Sequence, residues 1–381
     1  MKPHWMIDGH LDLAYNVLTF GRDLFRSVED IRRSERGTLT PRRNNGECTV
    51  AVPDMQQART ALVIASLFVV RAGVLEDWET QVYRTPQEAR QRWMEQLDVY
   101  RRWCEEHPET FRRVETRRDL QTVLQAWQDF PLPEPLPPEA EAQPGEPSAP
   151  ACPPIGLVVM MEGAEGLREP REIEDYAAQG VRLVAPVWAG GRFCGSNRDE
   201  GAFTREGWEL LDVLADLGMG LDLAHMNERS SLQALDRFEG WLCASHSACR
   251  ALARQPDNQR LLSDTQIRRI VERDGVIGIA LNARWLRPGW SASDPRESTT
   301  LKHVAAHVDH ICQIAGDARH VALGTDLDGG FGLERIPAGV DTIADLPRLA
   351  DVLAEAGYNA MDLAAIFGGN WQTFLERILP L

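Results

Sequence analysis

Eight short apolar runs, separated by longer polar or amphipathic stretches, constrain this chain more than any other feature. They are His4–Asp8, Ala61–Val69, Ile155–Met161, Arg182–Pro186, Gly220–Leu223, Leu242–Ser245, Val276–Ala280 and His320–Gly324. Runs such as LVIASLFVV and IGLVVMM show no alternation of polar and apolar residues, so as strands they must be covered on both faces, the condition of a parallel sheet. The intervening stretches Gln87–Glu106, Glu206–Leu217, Asp264–Asp274, Thr299–Ala315 and Asp345–Ala356 read as helices, with Thr204 and Ser263 as N-caps and Gly275 as a stop. Strand–helix alternation of this kind predicts an α/β fold, a (β/α)8 TIM barrel rather than an open sheet. A chain of 381 residues suits such a barrel as a single domain over 1–381. One stretch breaks the pattern. Pro131–Pro154, PLPEPLPPEAEAQPGEPSAPACPP, is too rich in proline to pair in a sheet or coil into a helix, and is expected to be an exposed insertion within the barrel domain.

Charge and cysteine usage narrow the function classes. The formal net charge of −16 argues against nonspecific binding to nucleic acid or anionic membrane. No apolar run reaches the about 18 residues of a membrane span, and the N-terminus lacks a signal-peptide pattern. The cysteines Cys48, Cys104, Cys152, Cys194, Cys243, Cys249 and Cys312 are scattered without a C-x-x-C pair, which favours free thiols and a cytoplasmic location.

Residues with metal-binding chemistry collect where the strands end, the face on which TIM barrels build active sites. His10 and Asp12 follow the first run, Glu162 ends the third, His225 the fifth, His246 the sixth and Asp326 the eighth. His10-x-Asp12 puts two donors on one face of an extended segment, because strand side chains alternate. Imidazole and carboxylate suit zinc and other borderline first-row cations. Three histidines and two carboxylates exceed one catalytic metal and fit two divalent ions sharing a bridge. The lysines are Lys2 and Lys302, neither placed to bridge, so the bridge falls to Glu162. Two metals could hold a shared hydroxide and polarise a carbonyl, with Asp326 carrying the proton to the leaving group. One such residue alone is weak evidence; five at separate strand ends outweigh ordinary packing. His303, His307 and His310 share one helix face and read as packing or solvated residues, and Asp328 with Gly329 and Gly330 as turn formers.

The motifs IDGHLDL, MEGAEGL, LDLAHM, CASHSACRAL, RLLSD, ALGTDLDGG and FGGNW, in this order, resemble the membrane (renal-type) dipeptidase family of binuclear zinc peptidases among the amidohydrolase-like barrels. The resemblance covers nearly the whole chain outside the proline-rich stretch. It implies a zinc dipeptidase acting on small dipeptides, some with a D-residue at the C-terminal position, and a homodimer. It implies that His10 and Asp12 bind one metal, that His225 and His246 bind the second, that Glu162 bridges, and that Asp326 handles protons. It also implies an arginine for the substrate's C-terminal carboxylate, best matched by Arg260, with Arg254 as the alternative. One position departs from the family pattern. Trp188 stands where a histidine commonly helps to stabilise the oxyanion, and an indole cannot carry that positive charge. Arg192 and Asn197, in the loop that follows, are the candidate replacements. The departure keeps a second reading open: a metal-dependent amidohydrolase for another amide, an N-acyl amino acid, a lactone or an ester. A third reading is a non-catalytic binding protein that recruits partners through the proline-rich stretch.

Overall fold

The apolar runs become a ring of parallel strands. In the computed structural model, which describes residues 4–43, 45–75, 78–132 and 151–381, the strands are β1 (Met6–Leu11), β2 (Thr60–Phe68), β3 (Ile155–Glu162), β4 (Val181–Ala185), β5 (Gly220–Asp222), β6 (Leu242–Ser247), β7 (Val276–Ile279) and β8 (Val321–Leu323). They pair in sequence order and in parallel, so this is a nearly closed eight-stranded TIM barrel. β1 lies beside β8, where the Asp326 N–H donates to the His10 carbonyl at 3.2 Å. Every residue of β2 and of β3 is buried, as strands covered on both faces require. A short strand, Phe111–Arg113, pairs with the start of β3 below the point where β4 joins it.

The barrel interior is tight at one place. A Cβ on Gly278 or on Gly324 would collide with the Ser245 carbonyl, so only glycine lets β6, β7 and the end of β8 approach this closely. The FGGNW motif seals the ring. The Trp371 indole lies against Gly9 and donates to the Leu323 carbonyl at 2.6 Å, and Asn370 donates to Ala318 and Val321.

Several boundaries differ from those read in the sequence. β1 starts and ends later than His4–Asp8, because the HL of HLDL stays buried and paired; His10 is therefore inside the strand. Asp274 (φ 53°), not Gly275, takes the left-handed position after the helix Asp264–Glu272. Thr204 and Ser263 do cap their helices, accepting from the Gly207 and Gln266 N–H groups. The proline-rich stretch lies, over residues 133–150, outside the described residues. All of the cysteines are free thiols.

Candidate metal centre and substrate cavity

Six side chains from five strand ends meet at the C-terminal mouth of the barrel. Glu162, the last residue of β3, faces both ways. Its Oε2 lies 3.5 Å from His10 Nε2, and its Oε1 lies 3.0 Å from His225 Nε2 and 3.4 Å from His246 Nε2. Asp12 Oδ2 stands 3.6 Å and Asp326 Oδ1 3.9 Å from His10 Nε2. The Nε2 atoms of His225 and His246 are 3.0 Å apart, and the His10 and His246 rings stack at 3.8 Å. Of three groups of three donors, His10–Asp12–Glu162 and Glu162–His225–His246 share one carboxylate, and the third joins His10 and His246 to Asp326.

These donors fit metal ions better than they fit one another. His10 Nε2 is buried without a hydrogen-bond partner, and the oxygens around it are too far for hydrogen bonds. Donors about 2.05 Å from a tetrahedral zinc stand about 3.3 Å apart, close to the spacing seen here. Burial, aided by the Arg260 charge, lowers the His225 imidazole to about 4, and burial with the His10 and Arg260 charges holds His246 well below the usual range. Burial works to neutralise Glu162, but His10, His225 and His246 overturn it and keep that carboxyl well below its ordinary value. Burial likewise opposes a charge on His10, yet Glu162 and Asp12 raise its imidazole well above the usual range. Burial, with Asp12 and Glu162 nearby, pushes the Asp326 carboxyl well up. Bare imidazoles beside crowded carboxylates are donors whose protons a divalent cation displaces.

A supporting layer, missed in the sequence, fixes these groups. Asp222, at the end of β5, accepts from the Ser245 N–H at 2.8 Å and from its hydroxyl, and that hydroxyl meets His246 Nδ1 at 2.8 Å. Asp8 in β1 accepts in the same way from the N–H and hydroxyl of Thr325, the residue before Asp326. The Ser66 hydroxyl donates to Asp12. Asp328 is a buried hub and not merely a turn former. Its carboxylate accepts from Thr49 and Val50 N–H groups and pairs with Arg22 at 3.2 Å, while its carbonyl accepts from Asn16 and Asn45. The signal available in the sequence was an acid set inside or at the end of an apolar strand, as Asp8 and Asp222 are.

Above the cluster opens a cavity of about 370 Å³. Arg260, 5% exposed, lines it with all of its guanidinium nitrogens lacking hydrogen-bond partners, its Cζ 4.5 Å over the Trp285 ring. Arg254 is exposed and does not line the cavity. Trp188 forms part of the wall, 5.0 Å from Phe68 and 5.7 Å from His225 between ring centroids. Asn197 also lines the cavity, with its Oδ1 buried and unpartnered and its N–H on the His225 carbonyl. Arg192, expected at the substrate, is elsewhere. It donates to the carbonyls of Glu165, Leu167 and Arg168 and pairs with Glu206, outside the cavity lining. Tyr15, tied to Glu79 at 2.7 Å, joins the wall and was not anticipated. His307 bonds the Cys249 N–H and the Leu286 carbonyl, and His310 bonds Asp264, so this helix face is structural.

Comparison with known proteins agrees with this geometry. The chain is 32% identical over 235 residues to an uncharacterized protein in the pqqA 5′ region of Klebsiella pneumoniae, covering 59% of this chain and 82% of that one. It is 29% identical over 227 residues to an uncharacterized dipeptidase of Schizosaccharomyces pombe, covering 56% of this chain and about half (52%) of that protein. A metallo peptidase from Rhodobacter sphaeroides superposes with a TM-score of 0.72 at 21% identity, over 99% of this chain and 100% of the other. The probable dipeptidase PvdM from Pseudomonas aeruginosa superposes with a TM-score of 0.74 at 18% identity, over 98% and 95%. The sequence profile of the membrane dipeptidase family (Peptidase family M19) matches residues 148–378, and this chain belongs to that family.

Proposed function

We propose that this protein is a zinc-dependent dipeptidase with a binuclear metal centre. The observation that carries the reading is Arg260, a buried guanidinium without a hydrogen-bond partner that opens on the same cavity as the ligand cluster. An unpaired buried charge is costly, and the fork of a guanidinium matches a carboxylate. A dipeptide's C-terminal carboxylate would satisfy it and hold the scissile carbonyl over Glu162. The Rhodobacter protein was solved with a phosphinate mimic of the dipeptide L-Ala-D-Ala, which supports this substrate class.

His10, Asp12 and Glu162 Oε2 would hold one cation, and Glu162 Oε1, His225 and His246 the other. Such a pair, when bound, supplies an activated water and polarises the carbonyl. Asp326, its carboxyl pushed up by burial, takes a proton as the water attacks and returns it to the departing amine. Asn197, anchored on the His225 backbone, offers its amide to the developing oxyanion in place of the missing histidine. Trp188 and Phe68 exclude water from one side.

The test is cleavage of L,L and L,D dipeptides by zinc-reconstituted protein, with a chelated control. Chelator-sensitive release of amino acids is expected. Arg260→Gln should lower kcat/KM by about 30- to 1,000-fold on free dipeptides and far less on C-terminally amidated ones. Trp188 favours a second reading, a metal-dependent hydrolase for other amides or esters. Turnover of those substrates alone, with metal verified in the same sample, would replace the first reading.

A further inference from the structure

The mouth of the cavity carries a charge pattern that the ligand cluster does not explain. Arg198, Arg284 and Arg335 all line it. None makes an ion pair or a guanidinium hydrogen bond among the described residues, which is also true of scattered surface arginines such as Arg205, Arg229 and Arg268; what sets these three apart is that they converge on one cavity. The carboxylates of the lining are Asp12, Glu162 and Asp326, all buried in the floor. Among the described residues this is a basic rim without exposed acids, in a chain whose net charge is −16.

The arginines are also placed by the site. Arg284 directly precedes Trp285, whose ring carries the Arg260 guanidinium at 4.5 Å. Trp285 in turn packs against Phe331 at 6.3 Å between ring centroids, and the loop after Phe331 leads to Arg335. These two cations therefore stand on the Arg260 side. Arg198 sits at the Trp188 wall, its Cζ 4.8 Å over that ring.

We propose that this rim selects a second negative charge, so that the preferred substrates are dipeptides whose C-terminal residue has an acidic side chain. The inference rests on the dipeptidase reading for its geometry: Arg260 takes the α-carboxylate, and Arg284 and Arg335 meet the side-chain carboxylate at the mouth. A basic mouth above a buried anionic floor also draws anionic ligands inward, an effect that salt screens.

Isosteric pairs isolate the charge. For zinc-loaded protein at low salt, kcat/KM on Ala-Asp should exceed that on Ala-Asn, and Ala-Glu that on Ala-Gln, by about five- to tenfold, the scale of two partly exposed ion pairs. Both configurations of the second residue belong in the panel. The ratio should shrink as sodium chloride is raised and fall to near one in the Arg284→Gln/Arg335→Gln double variant. A ratio near one in the wild type, or one that the double variant leaves intact, overturns the proposal. Calorimetric binding of aspartate against asparagine gives a readout that needs no turnover. If no dipeptide is cleaved at all, the dipeptidase reading fails, and the calorimetry decides this one: tighter binding of aspartate supports an acid-selective mouth, and equal binding removes it.

Discussion

His225 (φ 66°) and Asp326 (φ 57°) hold left-handed backbone conformations that residues with side chains adopt uncommonly, although Asp and His do so more readily than most. Both stand just past a barrel strand, and the sharp turn sends each side chain back over the strand ends into the cluster. A glycine would take the turn without strain but would leave no donor, so the strain accompanies the chemistry. For Asp326 the turn is held independently of its carboxylate, by its N–H on the His10 carbonyl and by Thr325 on Asp8. Asp326→Asn should therefore keep the backbone and the bound metal while kcat falls by about 10²- to 10⁴-fold. Metal content measured beside steady-state rates checks this, and full activity would remove the proton role from Asp326. The side chains that meet in the cluster were readable in the sequence because chemistry is written in residue identity. Whether an arginine reaches the cavity was not, since Arg192, Arg254 and Arg260 are chemically alike and only packing separates them.

At the scale of elements, two carboxylates do the same work at two places in the ring. Asp222 at the end of β5 fixes Ser245 in β6, and Asp8 in β1 fixes Thr325 after β8; each locks the residue preceding a site residue on the neighbouring strand. The Ser245 hydroxyl joins Asp222 to His246 Nδ1, which orients the imidazole so that Nε2 faces Glu162. Partners of this kind typically matter by about 10- to 100-fold in metal affinity. Asp222→Asn should weaken zinc binding by that amount, read by competition with a chromophoric chelator, with far-ultraviolet circular dichroism unchanged. An unaltered affinity would mean that the barrel alone orients His246. The strands were legible because continuous burial leaves an apolar run without periodicity. The helices Leu13–Phe20, Glu228–Arg237 and Asn370–Ile378 were not, because each is short and interrupted by buried polar or small residues that serve the site or the ring closure.

For the whole molecule, the alternation of runs was enough to give the barrel, since parallel strands buried on both faces have few other ways to close. The proline-rich stretch is a part of the chain that alternation does not account for, and its flanks show how it enters the fold. The Pro131 and Phe130 carbonyls accept from Arg59 at 2.9 and 2.7 Å, and the Pro154 carbonyl accepts from the Trp127 indole at 3.0 Å. Both ends are thus tied to the end of the helix Arg117–Asp129 and its neighbour, so the stretch leaves and re-enters the barrel at one place. The cavity lining contains no residue from either flank. Replacing residues 133–150 by about eight glycine and serine residues, a length that flexibly spans roughly 16 Å, should therefore leave zinc content and dipeptide kcat/KM within about twofold. The shorter closure should raise stability by no more than about 1 kcal/mol, seen as a small increase in Tm. A large loss of activity in a folded, metal-replete deletion variant would instead make the stretch part of the working site, and would give the partner-recruiting reading of its prolines a second hearing.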